Sequence, residues 1–184
     1  MIKYCISDLK TVMENPIFSQ SIKDKKSIGG IVIIPSSPEN LTKTRVYGAE
    51  IIDTFKANDI QFNQVKYIDT LEDLSGISNS INDYSVIFLM GGRTKIQNTF
   101  LSPEHEESSE VEFLKGLGLV DFHLEVHFDI HNTLQKTFIT SSIDEAYCIP
   151  DSGAIIECEG QISIIGDVYQ YTQGQFEKMV GAYE

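Results

Sequence analysis

The stretch SVIFLMGG at residues 85–92 decides the fold, because an apolar run without alternation ends there in two glycines. The stretch GGIVIIPSS at 29–37 has the same character, with a β-branched run between glycines and a proline. Such runs are typical of strands buried on both faces, as in a parallel sheet. Strands that alternate with helices indicate βαβ units, so we expect an α/β fold with helices on both faces of the sheet. On either side, the patterns predict strands at 2–6 and 61–68, helices at 39–58 and 71–81, and a loose helical spacing at 9–22 that Pro16 interrupts.

The pattern changes in the C-terminal third, where VDFHLEVHFDI at 120–130 alternates strictly between apolar and polar residues. Such alternation predicts a strand with two unlike faces. Its polar face would carry a row of five residues, His123, Glu125, His127, Asp129 and His131. Further strands are predicted at 136–142, 145–150, 154–160 and 162–171, with tight turns at 151–153 and 159–160. We therefore expect C-terminal antiparallel β hairpins that finish the sheet, within a single domain over residues 1–184.

The bulk composition narrows the function classes. The chain has 184 residues, a net charge of −13 and a sequence pI of about 4.6. A nucleic-acid binder needs a basic patch for phosphates, and this charge also argues against anionic membranes, so neither partner is expected. The sequence has no signal-peptide pattern and no membrane span, and Cys5, Cys148 and Cys158 are predicted to be free thiols in a reducing compartment. These observations predict a cytoplasmic protein.

Two features could carry chemistry. The polar row from His123 to His131 could present a catalytic histidine, bind a metal ion through adjacent members, or be the solvated face of an edge strand. The turn at Gly91-Gly92 could expose N–H groups that stabilise an oxyanion, or could serve only as a sharp turn. A serine nucleophile on a strand-to-helix elbow needs the pattern G-x-S-x-G, which no serine or cysteine here matches. Ser78 and Ser152 are predicted to be structural.

Two segments resemble the dipeptidase E family of serine peptidases, which includes cyanophycinase. VIFLMGGRTKIQNTFL (86–101) is similar to the family's strand, glycine turn and helix start, and GLGLVDFHLEVHFD (116–129) to the segment around its catalytic histidine. The strand end IPSS (34–37) and the hairpin IPDSGAIIECEG (149–160) agree in place and type. The resemblance implies a parallel-sheet three-layer sandwich like that of class I glutamine amidotransferases.

The resemblance also implies an activity, the hydrolysis of short peptides after an acidic residue, with no cofactor and no metal. His127 would be the catalytic histidine and Gly92 would supply an oxyanion N–H, while Gly91, Glu125 and Asp129 are expected at the substrate. The expected partner is a small acidic peptide, and a homodimer stays open. Arg93 departs from the family, which usually has a small polar or acidic residue there.

A larger departure lies between the two segments. The family has there a helix, a buried strand, the G-x-S-A-G elbow and a second helix, whereas only residues 94–115 are available here, without an apolar strand run. A complete βαβ unit takes about 30 residues or more, so the elbow does not fit. Three explanations stay open: a paralogue that lost catalysis, a sequence from which the segment is missing, and a rearranged protein with another nucleophile. The alternative functions are a non-catalytic binding or regulatory protein and a metal-binding protein that uses the face from His123 to His131.

Overall fold

The computed structural model describes residues 2–24, 29–35, 41–70, 73, 76, 83–90, 99–101, 113–115, 120–179 and 181. Over these residues the chain is a mixed α/β protein with four helices and several sheets, some of them antiparallel, which confirms the predicted α/β class. The described helices include none that is long and apolar enough to span a membrane. The chain divides into two compact units, one of Met1–Phe18 with Ile96–Glu184 and one of Ser19–Lys95.

The elements follow one another along the chain as strands and helices of moderate length. They are β1 (Ile2–Ile6), α1 (Leu9–Met13), α2 (Pro16–Lys23), β2 (Gly30–Ile34), α3 (Leu41–Ala57), β3 (Val65–Tyr67), β4 (Tyr84–Leu89), β5 (Thr99–Leu101), β6 (Phe113–Lys115), β7 (Leu124–Val126), α4 (Thr133–Ser142), β8 (Glu145–Ile149), β9 (Ala154–Cys158), β10 (Gln161–Ile165), β11 (Val168–Thr172) and β12 (Gln175–Met179).

The Ser19–Lys95 unit is built on a parallel sheet in the order β3-β2-β4. Ile31, Val32 and Ile33 of β2 are 0% exposed, which confirms that this apolar run is buried on both faces. The helix α3 ends at Ala57, and the chain turns directly afterwards at Asp59, whose φ is 59°. The predicted strand at 61–68 is shorter than expected, since only β3 pairs with β2. The predicted helix at 71–81 lies almost wholly outside the described residues.

The other unit contains two larger sheets, the helices α1 and α4 and the first residues of α2. One sheet is antiparallel in the order β1-β9-β10, and the other has the order β12-β11-β8-β7, with β7 parallel to β8 and the remaining pairs antiparallel. The predicted antiparallel hairpin of β9 with β10 is therefore confirmed. The turn at 151–153 does not close a hairpin, because β8 and β9 belong to different sheets, and neither sheet continues β3-β2-β4 as predicted. A cluster of buried side chains from both sheets forms one core, made of Cys5, Val120, Leu124, Ile149, Ile155, Ile164 and Val168. A short antiparallel pair, β5 with β6, completes the described strands of this unit.

The helix α4 packs on the opposite face of β8. Its Ile139 is 1% exposed and lies in a second core cluster with Phe128, Ala146, Cys148 and Tyr171. Side chains alternate between the faces of a strand, so Ala146 and Cys148 face this cluster while Ile149 faces the first one. The strand β8 is thus buried between the two clusters, and this packing fixes the positions of the residues at its ends.

The prediction of a strand at 136–142 is wrong, because these residues belong to α4. The Asn132 side chain accepts hydrogen bonds from the N–H groups of Leu134 and Gln135 and so caps the first turn of the helix. This cap and the burial of Ile139 outweigh the β-branched residues of KTFITSS, whose strand preference depends strongly on context. In the sequence, Asn132 was the signal for the start of a helix, but the strand-like pattern that follows it obscured this signal.

The long alternating strand predicted at 120–130 is also wrong, because only Leu124–Val126 forms β7. His127 has a φ of 54°, which ends the extended conformation, and the five residues of the polar row therefore do not share one strand face. The helical spacing predicted at 9–22 is interrupted at Pro16 as expected, since α1 ends at Met13 and α2 begins at Pro16. The strand predicted at 162–171 divides at Gly166, whose φ is 67°.

Candidate functional site

Three chain segments of the Met1–Phe18 and Ile96–Glu184 unit meet at one end of its strands. Ser7 follows β1, His127 follows β7, and Asp151 lies in the turn between β8 and β9. The antiparallel pairing sets the last residue of β1 opposite Ala154, at the start of β9. The parallel pairing sets the last residue of β7 beside Ile149, at the end of β8. Sheet register therefore brings together three polar residues that are far apart in the sequence.

These three residues form a compact hydrogen-bonded cluster. Nδ1 of His127 lies 2.6 Å from Oδ1 of Asp151. The Ser7 hydroxyl donates to the same Oδ1 at 2.7 Å, and its oxygen accepts from the main-chain N–H of His127 at 2.8 Å. The distance from Ser7 Oγ to His127 Nδ1 is 3.1 Å. We call this group the Ser7–His127–Asp151 cluster.

The electrostatics of the cluster favour a charged Asp151. The hydrogen bond from Ser7 is the main cause that holds the pKa of Asp151 below its ordinary value. Burial opposes this effect, while the hydrogen bond and the charge of His127 lower the same pKa further. The carboxylate is therefore ionised at neutral pH, and the short contact to Nδ1 requires a proton on that nitrogen. When the ring is neutral, the lone pair is then on Nε2.

The ring of His127 is accessible from solvent. Its side chain is 64% exposed and that of Asp151 is 55% exposed. In the part of the chain that the structure describes, the hydrogen bonds of the ring are made through Nδ1. Its Nε2 can therefore take a proton from a group that approaches from outside, which is the chemistry of a general base.

The main chain at His127 is held in an uncommon conformation by its neighbours. A positive φ on a residue other than glycine is costly and persists only where the surroundings impose it. The Gln135 side chain of α4 spans this turn, since its Nε2 donates to Oε1 of Glu125 at 2.9 Å and its Oε1 accepts from the N–H of Asp129 at 3.0 Å. Together with the bond from Ser7 to residue 127, these contacts support the turn on both sides.

The other residues predicted at the site have hydrogen bonds outside the Ser7–His127–Asp151 cluster. Glu125 lies on β7, is bound to Gln135, and has its pKa raised mainly by burial. The Asp129 side chain accepts from the N–H of His131 at 2.9 Å and so stabilises its own turn. The carboxylate that pairs with the His127 ring is Asp151 instead. Gly91 and Gly92 lie outside the described residues, so their predicted roles stay predictions.

Sequence reasoning missed two members of the cluster. Asp151 stands in the hairpin IPDSGAIIECEG, which had been singled out only for its resemblance. Ser7 carried a weaker signal, as a polar residue directly after the first strand. Neither is close to His127 in sequence, since the separations are 120 residues for Ser7 and 24 for Asp151.

The metal hypothesis finds no site in the described structure. Among the residues described, no group of three or more His, Cys, Asp or Glu side chains is placed to hold a metal ion. The strand face on which the hypothesis rested ends at Val126. The three cysteines are free thiols, as predicted, and Cys5 and Cys148 are buried.

Ser7 is not arranged as the nucleophile of a serine hydrolase. In such a triad the acid binds one ring nitrogen and the serine donates to the other. Here Ser7 and Asp151 both contact Nδ1, which carries the proton shared with the carboxylate. That nitrogen has no lone pair with which to accept the Ser7 proton, so a nucleophile would have to approach Nε2.

In comparisons with known proteins, no protein-family model matches the chain and no curated protein matches it.

Proposed function

We propose that this chain is a hydrolase of the dipeptidase E type that cleaves short peptides after an acidic residue, with His127 as its general base. The observation that carries the proposal is the 2.6 Å contact between Nδ1 of His127 and Asp151, which leaves Nε2 as the basic nitrogen. A histidine that is oriented by a carboxylate and open to solvent on its other side is the arrangement used in serine-type hydrolysis.

The proposed reaction uses His127 twice. Nε2 removes the proton of a serine hydroxyl as its oxygen attacks the peptide carbonyl, and the imidazolium then gives this proton to the leaving amine as the C–N bond breaks. Water repeats the cycle on the acyl group. Asp151 stabilises the imidazolium in both steps.

The resemblance extends to the segment at 149–160, which holds Asp151. On the resemblance we also propose a three-layer sandwich like that of class I glutamine amidotransferases, a small acidic peptide as the substrate and a reaction without a cofactor. The acidic charge and the free cysteines motivate the proposal of a cytoplasmic setting.

The test is hydrolysis of aspartyl dipeptides by the purified chain and three variants. His127→Ala and Asp151→Asn should each lose activity, with a fall in kcat of about 10²–10⁴-fold for His127→Ala, the usual contribution of a general base. His131→Ala is the matched control, because His131 is an exposed histidine outside the cluster, and it should keep full activity. No turnover by the unaltered chain, or equal turnover by His127→Ala, would contradict the proposal.

A second candidate function is a non-catalytic binding or regulatory protein on the same scaffold. The observation that favours it is that, within the described residues, no serine or cysteine contacts Nε2 of His127. A fluorophosphonate probe separates the two functions, because it labels an activated serine covalently. Stoichiometric labelling of one serine supports the hydrolase. An unlabelled chain that still binds an aspartyl dipeptide in calorimetry supports the binding protein.

A further inference from the structure

The Ser7 hydroxyl contacts three different atoms of the cluster. It lies 2.8 Å from the main-chain nitrogen of His127, 2.7 Å from Oδ1 of Asp151 and 3.1 Å from Nδ1 of His127. A surface serine ordinarily makes one such contact, to its own local backbone or to water. Through these contacts, the Ser7 hydroxyl connects the main chain of His127 to the side chain of Asp151.

Counting protons assigns a direction to two of these contacts. A serine hydroxyl has one proton to donate and two lone pairs with which to accept. The N–H of His127 must be the donor at 2.8 Å, so the hydroxyl oxygen accepts there. Nδ1 gives its own proton to Asp151, so the single Ser7 proton goes to the carboxylate oxygen. One hydroxyl thus accepts from residue 127 and donates to residue 151.

The elements that flank Ser7 in the chain fix its position. The preceding residue, Ile6, is paired with Ala154 in the ladder between β1 and β9. The following residue, Asp8, caps α1 by accepting from the N–H of Thr11 at 2.7 Å. Ser7 therefore lies at the junction of a paired strand and a capped helix. Its short side chain also loses little conformational entropy when it is fixed.

We propose that Ser7 is a positioning residue for His127: its hydroxyl joins the main chain of residue 127 to the carboxylate of Asp151, and so keeps the proton on Nδ1 and the lone pair on Nε2. The catalytic meaning of this role rests on the proposed hydrolase function. The role itself concerns only the state of the ring and can be measured without any substrate. It is also consistent with the low pKa of Asp151, for which the Ser7 hydrogen bond is the largest cause.

A merely structural role for Ser7 predicts something different. If the hydroxyl only satisfied the N–H of a turn with positive φ, its removal would lower stability but would leave the ring proton on Nδ1 through the bond to Asp151. If it positions the pair, removal lets Asp151 turn away and the neutral ring adopt the Nε2–H form that free histidine prefers. The tautomer of His127 therefore separates the two roles.

The experiment measures the ¹⁵N shifts of the His127 ring by NMR, at a pH where the ring is neutral, in the unaltered chain and in Ser7→Ala and Ser7→Thr. We expect the Nδ1–H form to dominate in the unaltered chain, a clear gain of the Nε2–H form in Ser7→Ala, and a return to Nδ1–H in Ser7→Thr, which keeps the hydroxyl. Ser141→Ala is the matched control, since Ser141 is exposed and its hydroxyl donates to the carbonyl of Phe138 in its own helix. This control should not change the ring.

Activity gives a second, separable readout. Where the chain hydrolyses aspartyl dipeptides, Ser7→Ala should lower kcat about tenfold with KM nearly unchanged, the loss expected for one hydrogen bond to a charged group. If the unaltered chain has no turnover, the hydrolase proposal fails while the ring shifts still decide the role of Ser7. An Nδ1–H tautomer in folded Ser7→Ala equal to that of the unaltered chain would overturn the inference. Should Ser7→Ala not fold, a loss of the Nδ1–H form in Ser7→Thr would overturn it as well.

Discussion

Two carboxylates close to His127 in space or in sequence have opposite environments. Asp151 stands in an exposed turn and receives two hydrogen bonds, which lower its pKa. Glu125 stands on β7 with a single bond from Gln135, and burial raises its pKa. Environments that shift the pKa values of two acids in opposite directions give similar side chains distinct roles. Asp151 is suited to stay charged beside His127, whereas the ionised form of Glu125 is unfavourable to folding.

This difference predicts a pH-dependent effect of Glu125→Gln. The folded pKa of Glu125 is raised, so the ionised side chain disfavours folding at neutral pH, and this penalty disappears as the pH falls through the folded pKa towards the unfolded value of about 4.3. Glutamine keeps an oxygen for the bond from Gln135 and carries no charge. Urea unfolding should therefore find Glu125→Gln at least as stable as the unaltered chain at pH 7, with no advantage at pH 4.

The control for this effect is Glu177→Gln on β12, an exposed residue whose substitution should change stability little at either pH. A Glu125→Gln variant that is clearly less stable than the unaltered chain at pH 7 would show that the charge of Glu125 helps the fold. That result would contradict the burial argument.

The elements that carry the cluster are short, and their turns decide its geometry. Asp151 is placed by the turn between β8 and β9, where Gly153 donates its N–H to the carbonyl of Pro150 at 2.9 Å. A Cβ on Gly153 would lie 1.9 Å from the carbonyl oxygen of Asp167, which belongs to the backbone and cannot move aside cheaply. The glycine is therefore required for the close approach of two chain segments.

Gly153→Ala should destabilise the protein by about 3 kcal/mol or more, a size typical of overpacking against buried backbone. Because Asp151 is two residues away, the variant should also weaken the contact between Asp151 and His127, which the His127 ring shifts would report. Gly76→Ala is the matched control, since no atom of the described residues lies within 4 Å of a Cβ at that position. Equal urea midpoints for the two variants would contradict the prediction.

For the elements, the sequence was informative where an apolar run forms a paired strand and misleading where a turn interrupts the pattern. The apolar runs of β2 and β4 and the strands β1, β8 and β9 lie close to where they were predicted, although β4 is not buried on both faces, since its Ile87 is 46% exposed. The alternating segment at 120–130 failed because the positive φ at His127, supported by Ser7 and Gln135, bends the chain. Those supports come from distant parts of the chain, and no local pattern reports them.

At the scale of the whole molecule, charge is the dominant feature. The chain has 27 acidic residues against 14 Lys and Arg, a net charge of −13. Several exposed ion pairs oppose this excess, among them Lys178 with Asp167 at 2.6 Å and Lys23 with Asp59 at 3.8 Å. Exposed pairs contribute only about 0–1 kcal/mol each, so we expect repulsion among the excess carboxylates to outweigh them.

Added salt should therefore stabilise the protein. The screening length falls from about 30 Å at 0.01 M to about 3 Å at 1 M ionic strength, which weakens the long-range repulsion most. The urea midpoint at pH 7 should rise as NaCl increases from about 0.01 M to about 0.5 M, and the rise should be smaller at pH 4, where many carboxylates are protonated. A midpoint that falls with salt would show that the ion pairs dominate.

Sequence patterns were enough to predict the α/β class, the two-sided burial of β2, the hairpin of β9 with β10, the free cysteines and the acidic character of the chain. These properties depend on composition and on the spacing of apolar residues, which are local. The resemblance pointed to His127, but only the tertiary structure decided its partners. Ser7, His127 and Asp151 meet because β1 pairs with β9 and β7 with β8, and pairing between distant strands is a property of the whole fold.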